Sequence, residues 1–153
     1  MAIKLSKGLR NALLESNSLK GALANGIICI YSGFPPVSAN DAETGTLLMK
    51  ITNNGGAFTA GVPTNGINFG SSVNGTISKS DSEIWTGKGL VDGTAGYFRF
   101  YSNDFETGSS ETAIRLQGTV GTSNADMLVA TTAIKANVSV TVDQFNITMP
   151  SGE

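Results

Sequence analysis

Short apolar runs separated by turn-forming residues fill the chain from residue 26 onward, and they predict an all-β domain. In the segment 96–102, for example, Phe98 and Phe100 occupy alternate positions, as expected of a strand with two different faces. No long helical segment separates the runs, which disfavours a parallel α/β sheet. About nine strands at this spacing predict an antiparallel β-sandwich of the jelly-roll type. The longer predicted strands are 27–31, 46–52, 83–86, 96–102, 111–119, 127–131 and 136–149.

The last predicted strand changes the parity of its apolar positions. Val140 and Val142 lie on even numbers, whereas Phe145 and Ile147 continue on odd numbers. One extra residue restores a common face, so the pattern predicts a β-bulge near Asp143 and Gln144.

A tight hairpin is predicted within residues 73–77. Asn74 and Gly75 stand between short apolar pieces, and this dipeptide suits a type I′ turn.

The first 25 residues are the only stretch with a helical pattern. Leu5, Leu9 and Leu13 recur on one helical face, Ser6 is a candidate N-cap, and Asn25 with the following glycine is a stop signal. A helix this short is marginal alone, so its apolar stripe must rest on other structure. We therefore divide the chain into an N-terminal helical docking arm, residues 1–25, and a β-sandwich domain, residues 26–153. The alternative is that the helix covers an open edge or end of its own sandwich.

Charge distinguishes this leader from the rest of the chain. The whole sequence has a formal net charge of −2, and only 14% of its residues are charged. Residues 1–20 carry four basic side chains against the single Glu15, a net charge of +3, which leaves −5 for the remainder. This charge balance does not indicate a nucleic-acid-binding protein. No apolar run approaches the ~20 residues that span a bilayer, and no signal peptide is apparent, so we expect synthesis in a cytoplasm and no membrane partner.

The sequence offers little catalytic chemistry. It contains no histidine and one cysteine, Cys29, which lies in an apolar run typical of a buried position. No phosphate-binding glycine loop is present. We therefore expect a protein that is not an enzyme and takes no cofactor. Acidic pairs leave two alternatives open, carboxylate catalysis and a calcium-binding loop. These pairs are Asp41 with Glu43, Asp81 with Glu83, and Asp104 with Glu106.

Several large side chains have two interpretations. Trp85, Tyr97 and Tyr101 could form an aromatic platform for sugar, but core or interface packing is the commoner role of such residues. Arg99 and Arg115 fall on predicted outward faces, where they are either solvated or paired with an acid of a neighbouring subunit.

Five segments together resemble a recurrent family of small tailed-phage virion proteins that are encoded among head genes. The segments are residues 24–33, 39–48, 93–99, 118–126 and 140–148. The resemblance implies a capsid decoration (cement) protein that sits on the capsid surface of the virion, binds between major capsid subunits and braces the shell. It implies no catalytic residues.

We therefore expect a structural virion protein whose partners are the major capsid protein and further copies of itself, as a dimer or trimer. A phage tail or fibre component with a carbohydrate-binding surface remains the alternative. A basic leader suits an acidic capsid surface by charge complementarity. The predicted partner-binding residues are Lys4, Leu5, Lys7, Leu9, Arg10, Leu13, Arg99 and Arg115.

Overall fold

A computed structural model describes residues 3–152, and most of their regular structure is β-strand. This confirms the predicted all-β class with short helices at the N-terminus. Met1, Ala2 and Glu153, which belong to the predicted domains, lie outside the described residues. The elements are β1 (Lys4–Leu5), α1 (Lys7–Glu15), α2 (Leu19–Ala22), β2 (Ile27–Ser32), β3 (Leu47–Asn53), β4 (Thr76–Ser78), β5 (Trp85–Lys88), β6 (Gly93–Tyr101), β7 (Arg115–Gly121), β8 (Met127–Val129), β9 (Ala133–Ile134) and β10 (Ser139–Thr148).

Seven of the strands close into a barrel, in the order β2, β3, β5, β10, β8, β7, β6 and back to β2. Every neighbouring pair in this ring is antiparallel except β7 and β8, which run parallel. The short strands β1, β4 and β9 pair with β7, β10 and β6, respectively. The predicted antiparallel sandwich is thus corrected to a mixed, closed barrel, because alternation along a strand does not reveal which distant strands pair.

Aromatic side chains fill the barrel interior. Phe145 lies at its centre, with its ring centroid 5.2 Å from that of Phe98 and 5.8 Å from that of Phe69. Trp85 packs edge-on against Phe100 at 5.8 Å and is fully buried. Such contacts place large apolar areas out of water and are the main source of the barrel's stability.

The predicted bulge is confirmed. The register between β10 and β8 shifts between Val142 and Gln144, and both Val142 and Phe145 are buried in the same core. One extra residue therefore keeps apolar side chains inside the barrel on both sides of the bulge.

The predicted hairpin is also confirmed. Asn74 and Gly75 both have positive φ angles, 50° and 75°, as a type I′ turn requires. Val73 and Thr76 exchange backbone hydrogen bonds of 2.8 and 2.9 Å across the turn.

The N-terminal segment packs on its own barrel. The Ser6 hydroxyl accepts the backbone N–H of Leu9 as the predicted N-cap and donates to the Ala113 carbonyl oxygen at 2.7 Å. Leu9 and Leu23 are fully buried in the interior cluster. The N-terminal segment therefore contributes side chains to the core of its own β-domain. This arrangement agrees with the alternative interpretation, in which the helix covers an open edge or end of the chain's own β-structure.

Gly8 allows α1 to pack closely against the loop before β7. A Cβ atom on Gly8 would lie 2.1 Å from the backbone oxygen of Thr112. The helix therefore touches the loop before β7 with its backbone, which requires a residue without a side chain.

A second apolar cluster lies outside the barrel wall, on the outer face of β2 and β6. Cys29 is fully buried there, beside Ile27, Tyr31 and Tyr101. Burial is the main cause that raises the pKa of the Cys29 thiol, to about 12. The sequence-based expectation of a buried cysteine is confirmed.

We expect Cys29 to resist thiol reagents in the native protein. Only a thiolate reacts readily, and this thiol is both covered and protonated at neutral pH. Labelling with an aromatic disulfide at pH 8 should be at least about 1,000-fold slower in native protein than in denaturant. The reagent can reach the thiol only when the protein unfolds locally or globally. Comparable rates in the two conditions would contradict the described packing.

Candidate functional site

Two loops cover the outer face of β6 and β7. Residues 33–46 connect β2 to β3, and residues 102–114 connect β6 to β7. Beneath them lie Arg99, Arg115 and Gln117, all fully buried. Charged side chains are rarely buried without partners, so their contacts indicate what these loops do.

Arg99 joins the barrel wall to the loop 33–46. Its Nη1 donates to the Asp41 carbonyl oxygen and to Glu43 Oε1, both at 2.9 Å. Its Nη2 donates to Gln117 Oε1 at 2.8 Å. The guanidinium thus holds the loop by one backbone atom and one charged side chain.

Arg115 joins the other loop to the same carboxylate. Its Nη1 donates to Glu43 Oε1 at 3.2 Å, and its Nη2 donates to the Gly108 carbonyl oxygen at 2.6 Å. Its Nε has no hydrogen-bond partner among residues 3–152. Burial, followed by the nearby charge of Arg99, lowers the pKa of Arg115 from its ordinary value.

Glu43 is the centre of the cluster. Its side chain is 15% exposed, and besides the two arginines it accepts the Tyr101 hydroxyl at 2.6 Å and the Gly108 N–H at 2.9 Å. Burial alone would raise the pKa of this carboxyl. Hydrogen bonds from Tyr101, from its own backbone N–H and from Gly108, with the charge of Arg99, outweigh burial and hold the pKa below its ordinary value.

The tyrosine hydroxyls extend this cluster along the outer face of β6 and β2. The hydroxyls of Tyr31 and Tyr101 lie 2.8 Å apart, and the rings of Tyr31 and Tyr97 stack at 5.0 Å. Burial raises the pKa of both Tyr31 and Tyr101 above the ordinary value. Both hydroxyls therefore stay protonated and serve as hydrogen-bond donors.

Further anchors hold the loop 33–46 along its length. Gln117 Nε2 donates to the Pro36 carbonyl oxygen at 2.8 Å. The Tyr97 hydroxyl accepts the Thr44 N–H at 2.9 Å and donates to the Thr44 carbonyl oxygen at 2.7 Å. The Thr44 hydroxyl in turn donates to the Phe34 carbonyl oxygen at 3.0 Å. Both ends of residues 34–44 are therefore fixed to the barrel wall.

This anchored loop exposes an apolar tip. Phe34 is 91% exposed and Val37 is 87% exposed, although Pro36 between them is buried. Lys4 lies beside the tip, and its Nζ donates to the Val37 carbonyl oxygen at 2.8 Å. We call Phe34, Val37 and Lys4 the tip surface.

The contacts of the buried cluster hold both loops to the barrel wall. Glu43 has a depressed pKa and both of its oxygens accept hydrogen bonds, so it is a poor acid or base near neutral pH. The other acidic pairs also have structural contacts. Glu83 accepts the indole N–H of Trp85 at 2.9 Å, and Glu106 accepts the Ser110 hydroxyl at 2.7 Å. Residues 3–152 contain no cluster of three or more acidic or cysteine side chains arranged to hold a metal ion.

The structure separates the predicted partner-binding residues into exposed, half-buried and fully buried groups. Lys4, Lys7 and Arg10 are exposed, and Lys7 forms an exposed ion pair with Glu111 at 3.0 Å. Leu5 and Leu13 are half-buried against the chain's own core.

The remaining three predictions need correction. Leu9, Arg99 and Arg115 are fully buried, so none of them can touch a partner in this fold. Leu9 is part of the barrel core, and the two arginines pair with Glu43 of the same chain. The arginines do face away from the barrel interior, but loops cover that face.

The aromatic platform is also corrected. Trp85 lies inside the barrel, and Tyr97 and Tyr101 lie under the loops, all of them buried. These three rings therefore present no stacking surface for a sugar.

Sequence reasoning missed Glu43 as a partner of the arginines and Phe34 as an exposed aromatic. One signal for the first was the outer face of β6, where two tyrosines flank Arg99, since a solvated face rarely carries two large aromatics. The signal for the second was Phe34 before two prolines in a connecting segment, because loops lie on the surface.

Comparisons with protein-family models, with curated proteins and with solved structures gave no match to this chain. Separately, no helix within residues 3–152 is long and apolar enough to cross a bilayer.

Proposed function

We propose that this chain is a non-catalytic structural protein that decorates and stabilises the capsid of a tailed phage. The observation that carries the proposal is the tip surface, an exposed aromatic and an exposed valine on a loop that Gln117, Tyr97 and the buried ionic cluster anchor to the barrel wall. Exposed apolar groups on a fixed loop are typical of protein-binding sites. The resemblance of five sequence segments to small virion proteins supports the choice of a capsid as the partner.

The anchoring of the loop 33–46 favours the free energy of binding. Burying Phe34 and Val37 in a partner's pocket contributes about 1.5–3 kcal/mol for each side chain. A loop with an already ordered backbone loses less conformational entropy on association. The adjacent Lys4 adds a positive charge that suits an acidic surface.

We expect the tip to carry capsid binding. The double substitution of Phe34 and Val37 by alanine should weaken binding by roughly 30-fold, which corresponds to about 2 kcal/mol. The melting temperature should stay nearly unchanged, because both side chains are exposed. Co-sedimentation with capsids prepared without this chain measures the affinity.

Leu14→Ala is the matched control, since Leu14 is an apolar residue of α1 that is 85% exposed. It should leave binding unchanged. Equal losses for the control and the tip variant would contradict the role of the tip. Copy number in native particles separates a shell protein, present in hundreds, from a tail or fibre component, present in a handful.

A further inference from the structure

A groove on the outer face of β3 and β5 is separate from the tip surface. It has a volume of about 390 Å³, and its floor includes Lys50, Thr52 and Gly87. Residues 55–58 form one wall, and Phe105 of the loop 102–114 forms part of another. The size suits one large side chain with its flanking backbone.

The lining combines apolar walls with unpaired positive charge. Lys50 and Lys88 both line the groove, and its lining contains no acidic residue. The Lys50 ammonium lies 5.2 Å from the ring centroid of Phe105. The four ion pairs within residues 3–152 all involve other cations, so neither lysine has a carboxylate partner there.

The apolar surface continues beyond the groove. Leu90 lines the groove and is 52% exposed, and the next residue, Val91, is also exposed. Val138 is exposed too. Its carbonyl oxygen accepts the Gly89 N–H at 3.0 Å, and this hydrogen bond places Val138 beside Leu90 and Val91. A single bound side chain would leave this strip uncovered, whereas an extended segment can cover both.

We propose that the groove binds an extended acidic segment of a partner protein, in which a large apolar side chain is flanked by carboxylates. The apolar side chain fills the groove above Gly87, and the carboxylates pair with Lys50 and Lys88. Charge complementarity selects this occupant, because two cations with no carboxylate partner among residues 3–152 lie at an apolar concavity. The identification of that partner as a capsid subunit rests on the proposed function, but the chemistry of the groove does not.

A peptide titration tests the groove directly. The probe is the N-acetylated peptide amide Glu-Phe-Glu-Glu, followed by amide chemical shifts of the full chain. We expect saturable shifts centred on Lys50, Gly55 and Gly87. The peptide with lysine in place of each glutamate, and the peptide with alanine in place of phenylalanine, should each bind at least about tenfold more weakly.

Charge reversal gives the second arm of the test. Lys50→Glu combined with Lys88→Glu should weaken binding of the acidic peptide at least about tenfold. Both lysines are exposed, so the fold should survive, and the dispersion of the amide spectrum reports this. Lys20→Glu is the matched control on the exposed part of α2 and should leave binding unchanged.

Three results would overturn the proposal: no saturable shifts, equal binding of the acidic and basic peptides, or full binding by the double variant. Ultracentrifugation adds a fourth. If the double variant alone dissociates a wild-type oligomer, the occupant is a second copy of this chain and not a partner's segment. None of these results touches capsid binding through Phe34, so failure of the groove and failure of the proposed function are distinguishable.

Discussion

Leu9→Ala should destabilise this protein by about 2–5 kcal/mol, whereas Leu14→Ala, five residues further along α1, should change its stability by less than about 0.5 kcal/mol. Leu9 is fully buried in the barrel core, and Leu14 is 85% exposed. The first substitution leaves a cavity in a closed interior that cannot easily collapse. Denaturant unfolding followed by the fluorescence of the buried Trp85 measures both values.

Denaturant unfolding of a truncated chain tests the two interpretations of the N-terminal segment, as a docking arm or as a part of the chain's own β-domain. Deleting residues 1–25 should destabilise the barrel by more than Leu9→Ala, because it also removes β1 and the contacts of Ser6 and Leu23. We expect the truncated chain to unfold at a lower denaturant concentration or to aggregate. A truncated protein with wild-type stability that no longer binds capsids would instead support the interpretation of residues 1–25 as a docking arm.

Local features of this fold could be predicted from the sequence because they depend on residues that are close together in the chain. Ser6 caps α1 as expected, since a hydroxyl just before a helix satisfies a free N–H. The turn at Asn74 and the bulge after Val142 follow from backbone preference and from side-chain parity.

Closure of the barrel could not be predicted in this way. It depends on pairs distant in sequence, such as β3 with β5 and β6 with β2, and on the parallel pairing of β7 with β8. An alternating strand has the same pattern in a sandwich as in a barrel, because each presents one face to a core. The choice between them lies in strand order, which a single sequence does not display.

The candidate site shows a second limit of the pattern. Alternation correctly placed Arg99 and Arg115 on the face opposite Phe98 and Leu116, but it could not show that loops cover that face. The covering loop 33–46 includes Asp41, Glu43 and Thr44, and loops with such residues are ordinarily solvated. Only the three-dimensional contact between Glu43 and both guanidinium groups reveals a buried cluster.

Glu43→Gln should be among the most destabilising conservative substitutions in the chain, with a loss of about 3–5 kcal/mol at pH 7. The glutamine keeps the shape of the side chain, but Arg99 and Arg115 then stay buried without the one carboxylate that pairs with both. Glu111→Gln is the matched control, because its ion pair with Lys7 is 3.0 Å long but largely exposed. An exposed pair contributes about 0–1 kcal/mol, so the control should unfold nearly as the wild type does.

The tip surface should respond as well, although Phe34 itself is unchanged. Without the Glu43 anchor, the amides of residues 41–44 should exchange with deuterium faster than in the wild type, because Arg99 and Arg115 no longer hold the loop by charge. Capsid binding should then weaken, since the loop must be ordered on association. Unchanged exchange in a folded Glu43→Gln variant would show that the remaining contacts of Pro36 and Thr44 are sufficient anchors.

The pH dependence identifies the charge of Glu43 as the cause. Its pKa in the folded protein lies below the ordinary carboxyl value of 4.5, so its contribution to stability is fully present above pH 4.5 and is lost as the pH falls through the folded pKa. The difference in free energy of unfolding between the wild type and Glu43→Gln should therefore be constant near neutrality and should shrink as the pH falls below about 4.5. The difference between the wild type and Glu111→Gln should stay small at every pH. A Glu43→Gln difference that persists undiminished at low pH would mean that shape, and not charge, holds the loops together.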